Sequence, residues 1–599
     1  MKHRPARSTW RFATYLRPVR GLLALGLSTS LVQAVLQWIA PWPLKVVFDS
    51  VLASHPLPVM FAWLPAAPGS RLILLTGFTI AVALAVAATD YLANRWVAEA
   101  GQQVVAAIRA DLFSHMQRQS LAFHQQRRTG DLMSRLDGDT QDIQSLTVDV
   151  LPTLVNNVIT LAGFCVIMLA VNWLLGLVSL VAVPVLYGLV RHYLRQIKVA
   201  QRSALAAQGE SAGVAQEVLS ALPVVQANGA EERESARFGE ANGRALRSGL
   251  LAVIHQSAFT PLVALTMSVT TALIVYVGAR SVLAGHLTPG DVLLFSAYLR
   301  GMYTPVRQLA KLAGSAGRGQ AAAERVAEIL DTDEAIPVAP RPRRLVRAAG
   351  AITLDSVSLS YPDRDGALEG VSLEFAAGRR HAIVGRTGSG KSTILRLIPR
   401  LVDPDRGAVR LDGVDIKSIG LADLRRQISL VPQEPYLFRS TVWENICYGL
   451  PAASRPAAIQ AAKAAGVHQV IESLPDGYDT VVAERGGSLS GGQRQCIALA
   501  RAVARPAPIL LFDEPTTGLD VEIVSILLAA LDRVCEGRTA IVVSHELPAV
   551  RDADSIAVLD RGRLVERGTH QQLSRSGQIY AQFDALARSR PLPLEAIRS

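Results

Sequence analysis

Read along the chain, apolar residues gather in long runs up to about Lys311 and then thin to the mix of an ordinary globular protein. Six runs stand out: Gly21–Val47, Arg71–Asn94, Leu151–Asn172, Leu174–Tyr193, Leu251–Ala279 and Asp291–Leu312. A helix needs ~20 mostly apolar residues to cross the hydrocarbon of a bilayer, and each run has that length. The pattern therefore predicts an all-α membrane domain of six helices. The third and fourth runs nearly touch, so the turn at Asn172-Trp173 must be tight. An even number of crossings brings both ends of the domain to one side. The first run is too long for the apolar part of a secretory signal and reads as a retained helix.

Charge then sorts the loops. The segments Asp49–Ser70, Asn172-Trp173 and Arg280–Gly290 hold few cations, whereas Arg95–Val150 and Leu194–Leu250 hold many. Lys2, Arg4, Arg7, Arg11, Arg17 and Arg20 precede the first run. Cations concentrate on the cytoplasmic side, so the N-terminus is expected inside. Val104–Ser120 and Ala200–Leu219 have helical composition and few breakers, as if the membrane helices ran on into the cytosol. Trp38, Trp42, Trp96 and Trp173 lie near run ends, where indoles anchor at the interface; lining a substrate path is the alternative. Asp90 is the notable charge inside a run. Its depth suits the inner interface or a cavity wall; proton or substrate coupling is the alternative.

Composition agrees with a membrane half and a soluble half. Hydrophobic residues make up 50% of the 599, and mean hydropathy is +0.26. A net charge of +11 would suit nucleic acid, but the cations flank apolar runs and no basic helix or stacking motif accompanies them, so no nucleic-acid partner is expected. Cys165, Cys447, Cys496 and Cys535 have no metal-ligand spacing and read as small hydrophobes in packed sites. The boundaries predicted are a membrane domain over 1–325, a linker over 326–350 rich in Pro, Arg and Ala, a soluble domain over 351–590 and a tail over 591–599. The soluble domain alternates strand and helix signals, an α/β pattern.

Three stretches of the soluble domain carry chemistry. Gly385-Arg386-Thr387-Gly388-Ser389-Gly390-Lys391-Ser392 fits the phosphate loop G-x-x-x-x-G-K-[ST] and continues into Thr393 at the opening of a helix. The glycines let the backbone wrap a phosphate chain, while the amides and helix start favour its charge. Lys391 then reaches the β- and γ-phosphates, and Ser392 ligates Mg²⁺. Ile509–Glu514 is a buried strand ending in two carboxylates: Asp513 suits the Mg²⁺ shell and Glu514 a general base on the attacking water. Leu489-Ser490-Gly491-Gly492-Gln493 precedes a helical run, and reads either as a second anion site or as an ordinary helix cap.

The order Tyr361, phosphate loop, Gln433, Leu489–Gln493, Asp513-Glu514, Asp520 and His545 resembles the ATPase cassette of ABC transporters, whose signature is the pentapeptide LSGGQ. The resemblance implies a P-loop ATPase that works as a head-to-tail dimer, with ATP held between the phosphate loop of one cassette and Ser490–Gln493 of the other. It implies that Tyr361 stacks on adenine, Gln433 touches Mg²⁺, His545 contacts the γ-phosphate and Asp520 crosses to the partner cassette. Val482–Ser488 resembles the loop that marks the exporter branch, and the membrane half is similar to subfamily B exporters. Residues 123–139 and 219–234 resemble that subfamily's coupling loops, and Ala284–Leu309 its sixth helix.

What this implies is a half-transporter, in a homodimer or with a related half, exporting a hydrophobic or amphipathic substrate such as a lipid, drug, peptide or glycan. The expected setting is a bacterial inner membrane with the ATPase domain cytoplasmic. Phe164, Tyr187, Tyr276 and Tyr298 suit such a cargo, or plain helix packing. An exporter-fold importer shares all these motifs. A gated channel or regulatory membrane protein commonly loses a catalytic residue, whereas Glu514 and His545 are in place. One departure from the family is Gly518, where an alanine is more usual.

Overall fold

In the computed structural model, residues 11–588 are described apart from 54, 58–60, 66, 128, 362 and 363. Lys2, Arg4, Arg7 and the expected tail at 591–599 lie outside the described residues. The chain forms two compact units: Met1–Gln117 with Arg127–Asp333, and Arg118–Gln126 with Glu334–Ser599.

The first unit is helical. Its long elements are α1 (Arg20–Ile39), α2 (Pro68–Arg118), α3 (Leu151–Val171), α4 (Trp173–Leu180), α5 (Ala182–Ser220), α6 (Glu231–Leu283) and α7 (Pro289–Asp331). Among the described residues, five helical stretches are long and apolar enough to cross a membrane: Arg20–Leu52, Pro68–Arg118, Thr129–Val171, Trp173–Ser220 and Glu231–Leu283. The sixth expected crossing falls on α7, which is long enough but is interrupted by Arg300 and Arg307. α2, α5 and α6 run unbroken far beyond the ~20 residues a bilayer requires, as the breaker-poor loops predicted. α5 and α6 lie along one another, tied by Arg244–Glu210 at 2.7 Å and Arg237–Glu217 at 2.9 Å.

Local chemistry sets the ends. α3 stops at Val171 because Asn172 turns extended (φ −153, ψ 112), and its side chain accepts the Leu175 N–H to cap α4. One residue thus makes the tight turn. α7 begins with Pro289 behind Thr288, which forms a capping box with Asp291. At its far end α7 continues to Asp331, so residues 326–331 are helix rather than linker. Trp38 and Trp42 pack against the helical core instead of standing at its edge. Trp42 Nε1 donates to Tyr298 Oη at 2.9 Å, giving the indole a buried partner. Trp173 is exposed, as an anchor should be.

The second unit holds two sheets. Strands β1 (Ile352–Tyr361), β2 (Arg364–Phe375), β4 (Arg406–Leu411) and β5 (Val414–Asp415) form an antiparallel sheet ordered β2-β1-β4-β5. Strands β3 (Arg380–Gly385), β6 (Ile428–Val431), β7 (Ile509–Asp513), β8 (Thr539–Val543), β9 (Ser555–Asp560) and β10 (Arg563–Gly568) form the second, ordered β10-β9-β3-β8-β7-β6. It is parallel except for β10. Neighbouring residues of β7 and β8 enter different cores: Leu510, Phe512 and Val542 one, Leu511, Ile541 and Val543 the other. Both faces are therefore covered, which is why these strands read as continuous apolar runs. Helices α8 (Lys391–Leu397), α9 (Gly491–Ala504) and α10 (Val521–Cys535) carry the remaining motifs.

Candidate ATPase site

In an open parallel sheet, ligands bind beyond the carboxyl ends of the strands. Four of the predicted site segments leave from there on neighbouring strands: the phosphate loop after β3, His545 after β8, Asp513-Glu514 at the end of β7 and Gln433 after β6.

The loop's shape depends on its glycines. Gly385 has φ 154, and a Cβ there would lie 2.2 Å from the Leu559 carbonyl oxygen. Gly390 has φ 100 and caps α8, and a Cβ would lie 2.5 Å from the Ala367 carbonyl oxygen. Arg386, Thr387 and Gly388 form the exposed rim, while Ser389 and Thr393 are buried. Lys391 is 6% exposed, and its Nζ donates to the carbonyls of Gly385 at 2.9 Å and Arg386 at 3.0 Å. Burial holds its ammonium below the usual lysine range, an effect opposed by Glu514 and Asp513.

Ser392 Oγ donates to Asp513 Oδ1 at 3.0 Å, joining the loop to β7. Burial pushes the Asp513 carboxyl up, while the Ser392 bond pulls it down and Glu514 adds like-charge repulsion. Such a carboxylate suits a site that a cation completes. Glu514 follows with φ 48, a left-handed conformation that a residue with a Cβ adopts at a cost. Its N–H donates to the Val543 carbonyl at 2.8 Å, which fixes this turn against β8. Gln433 Nε2 donates to Glu514 Oε2 at 3.0 Å, and His545 Nδ1 stands 3.5 Å from Oε1. Thr517 Oγ1 donates to Oε2 at 3.4 Å. Thr517 was not among the sequence candidates; a hydroxyl three residues after the acid, on the same turn, was the available signal.

Three candidates stand apart from this group. Tyr361 closes β1, and its hydroxyl is buried with no hydrogen-bond partner among the described residues. Ser490 caps α9 in a capping box with Gln493, so the cap reading of Leu489–Gln493 holds as geometry, with Gly491 and Gly492 forming the first helical turn. Asp520 precedes α10 and makes no side-chain cap bond. Gly518, just before it, has φ 74, which only glycine adopts freely.

The helical unit contains a cavity of about 700 Å³ lined by α1, α2, α3 and α7. Asp90 stands on its wall, accepting hydrogen bonds from Gln33 Nε2 at 2.9 Å and Asn94 Nδ2 at 3.3 Å. Of the aromatic candidates, Phe164 and Tyr298 line the cavity with ring centroids 5.1 Å apart, and Tyr276 points out, 62% exposed. The side chain of Tyr187 lies outside those described. Apart from Asp90, the cavity's polar residues passed unnoticed in the sequence, although Gln33/Gln37, Asp90/Asn94 and Thr304/Gln308 repeat at helical i,i+4 spacing inside apolar runs.

Comparisons with known proteins agree with both units. Residues 23–306 match the family described as ABC transporter transmembrane region, and 368–517 the family ABC transporter. The chain is 32% identical over 578 residues to the uncharacterized ABC transporter ATP-binding protein YknV of Bacillus subtilis, covering 96% of this chain and 93% of that one. It is 34% identical over 582 residues to an ATP-dependent lipid A-core flippase of Aromatoleum aromaticum, covering 96% of each. A solved bacterial Atm1-family ABC exporter with ATP bound superposes with a TM-score of 0.79 at 30% identity, over 96% of this chain and 98% of that one. With both regions fused in one polypeptide, the chain belongs to the ABC transporters as an exporter-like half-transporter, a multi-pass membrane protein that couples ATP hydrolysis to transport.

Proposed function

We propose that this chain is one half of a dimeric exporter that uses ATP to move a lipid-like or otherwise amphipathic substrate across a bacterial inner membrane, with its N-terminus and ATPase unit in the cytoplasm. The partner is a second copy or a related half-transporter. The observation that carries the reading is the carboxylate of Glu514, held by Gln433, Thr517 and His545 beside the Ser392–Asp513 pair. A base so oriented takes the proton of the water attacking the γ-phosphate. Lys391 and the loop amides neutralise the phosphate chain, His545 contacts the γ-phosphate, and Tyr361 stacks on adenine.

Mg²⁺ fits the oxygen donors here: the Ser392 hydroxyl and Asp513 carboxylate, with Gln433, would hold it. When bound it neutralises charge on the phosphates.

Ser490–Gln493 at the start of α9, where Ser490 is exposed, and Asp520 contact the partner cassette's nucleotide. Each ATP then bridges two cassettes, and hydrolysis releases them. Residues 123–139 and 219–234 pass the motion to the helices. The likeness to lipid A-core flippases and to the Atm1-family exporter supports export and an amphipathic cargo. The test is ATP hydrolysis by the purified chain in lipid nanodiscs. Glu514→Gln is expected to lower turnover by at least ~10²-fold while ATP still binds. Undiminished hydrolysis would remove Glu514 from the role of base.

A further inference from the structure

The cavity between α1, α2, α3 and α7 has an uneven chemistry. Among the described residues lining it, none is Lys, Arg or His, and Asp90 is the one carboxylic acid. Its carboxylate has no ion-pair partner among the described residues. Gln33 and Asn94 each give it one N–H, one per oxygen, which leaves half of its lone-pair capacity facing the cavity. Asn157, which also lines the cavity, is 3% exposed, and its Nδ2 has no hydrogen-bond partner among the described residues. The neighbouring Asn156 Oδ1 is also buried, with no partner among the described residues. Buried amide atoms are normally satisfied, so an unpartnered donor and acceptor on a cavity wall point to a ligand that supplies the missing bonds. Val86, Val97 and Phe164 add apolar surface to the same lining.

Resting on the export reading above, we infer that the transported amphiphile carries a positively charged, hydrogen-bonding head that is recognised at Asp90 and the Asn156/Asn157 amides. An anionic head, such as a phosphate, would enter a low-dielectric cavity whose one charge repels it. A cationic head meets a carboxylate already oriented by two amides. The bare helix dipoles add no cation that would reverse this preference.

Tetraphenylphosphonium and tetraphenylborate test this directly, since they match in size and shape and differ in the sign of charge. Equilibrium dialysis against the full chain in nanodiscs, with empty nanodiscs subtracted and no nucleotide present, reads the preference. The phosphonium is expected to bind saturably and at least about tenfold more tightly than the borate. Asp90→Asn should bring the two within about threefold, whereas Asp90→Glu, which keeps the charge, should preserve the preference. Equal or tighter binding of the borate, no saturable binding of either ion, or an unchanged preference in Asp90→Asn would overturn the inference. Because the measurement uses no ATP, its outcome is separate from that of the hydrolysis assay, which alone decides whether the chain is an ATP-driven transporter.

Discussion

The Gly290 backbone N–H donates to Asp49 Oδ1 at 2.8 Å, binding the first turn of α7 to the helical stretch that follows α1. A side chain could not stand there: a Cβ on Gly290 would lie 2.5 Å from the same carboxylate. Lys45 completes the junction, with Nζ 3.1 Å from Asp49 Oδ2 and also bonded to Asp291. All three side chains are nearly buried, so two carboxylates share one cation away from water.

Removing that cation should be costly, because buried carboxylates would be left uncompensated. Lys45→Met is expected to destabilise the helical unit by about 3–5 kcal/mol. Adding Asp291→Asn should recover part of this. Tryptophan emission during thermal unfolding follows the helical unit, which holds every Trp except Trp443. An unchanged transition in Lys45→Met would show that the cluster is not holding the helices.

The groups around Glu514 should affect rate more than binding. Gln433→Ala and His545→Ala each remove a side chain that orients the carboxylate. Loss of one such oriented group lowers turnover by roughly 10²-fold. ATP affinity is expected to fall by less than turnover does, because the phosphate loop, which holds the phosphate chain, is untouched although each variant loses one contact to Mg²⁺ or the γ-phosphate. Single-turnover hydrolysis beside nucleotide binding separates the two effects. A large loss of affinity with normal turnover would contradict the assignment.

Gly518 sits at φ 74 with open space around it, so an added methyl meets no atom but forces a strained backbone. Gly518→Ala should cost about 1–2 kcal/mol in the cassette's resistance to denaturant. The same backbone sets where Asp520 points, so ATP turnover should fall with it. A neutral substitution would mean the loop relaxes to the conformation that the usual alanine adopts.

His381 makes the cassette sensitive to acid. Burial holds its imidazole below the usual histidine value of 6.5, partly offset by the Ala376 carbonyl and Asp554. The unfolded chain therefore takes up a proton at a higher pH than the native one. Stability is complete above 6.5 and is lost as pH falls through the lower native value. Between pH ~7.5 and ~5.5, His381→Gln should lose less stability to urea than the unaltered chain. Equal losses would place the acid sensitivity elsewhere.

Most of the ATPase site was legible in the sequence because its parts are short and chemically specific. A loop that must wrap phosphate demands glycine at Gly385 and Gly390, and a buried strand ending in acids shows plainly in Ile509–Glu514. The helices were legible as apolar runs, and Asn172 as a turn. What stayed hidden depended on distant partners. Trp38 and Trp42 look like interfacial anchors until Tyr298, far along the chain, accepts the Trp42 N–H and donates to the Trp38 carbonyl. The strain at Glu514 and the left-handed turn at Gly518 leave no mark on hydropathy. Asp90 was visible as an odd charge, but the amides that orient it lie on other turns and helices.

The short segment Arg118–Gln126 sits with the cassette, although about two hundred residues of the helical unit separate it from the rest. Ser120 donates its N–H to the Glu334 carbonyl, Glu334 returns one to Gln119 Oε1, and Phe123 is fully buried. During synthesis this piece emerges early and waits for partners not yet made. The cassette thus cannot finish folding as a tail appended to a membrane anchor. The segment follows α2 and its partner Glu334 follows α7, so the two can meet only when these points of the helical unit emerge on one side of the membrane.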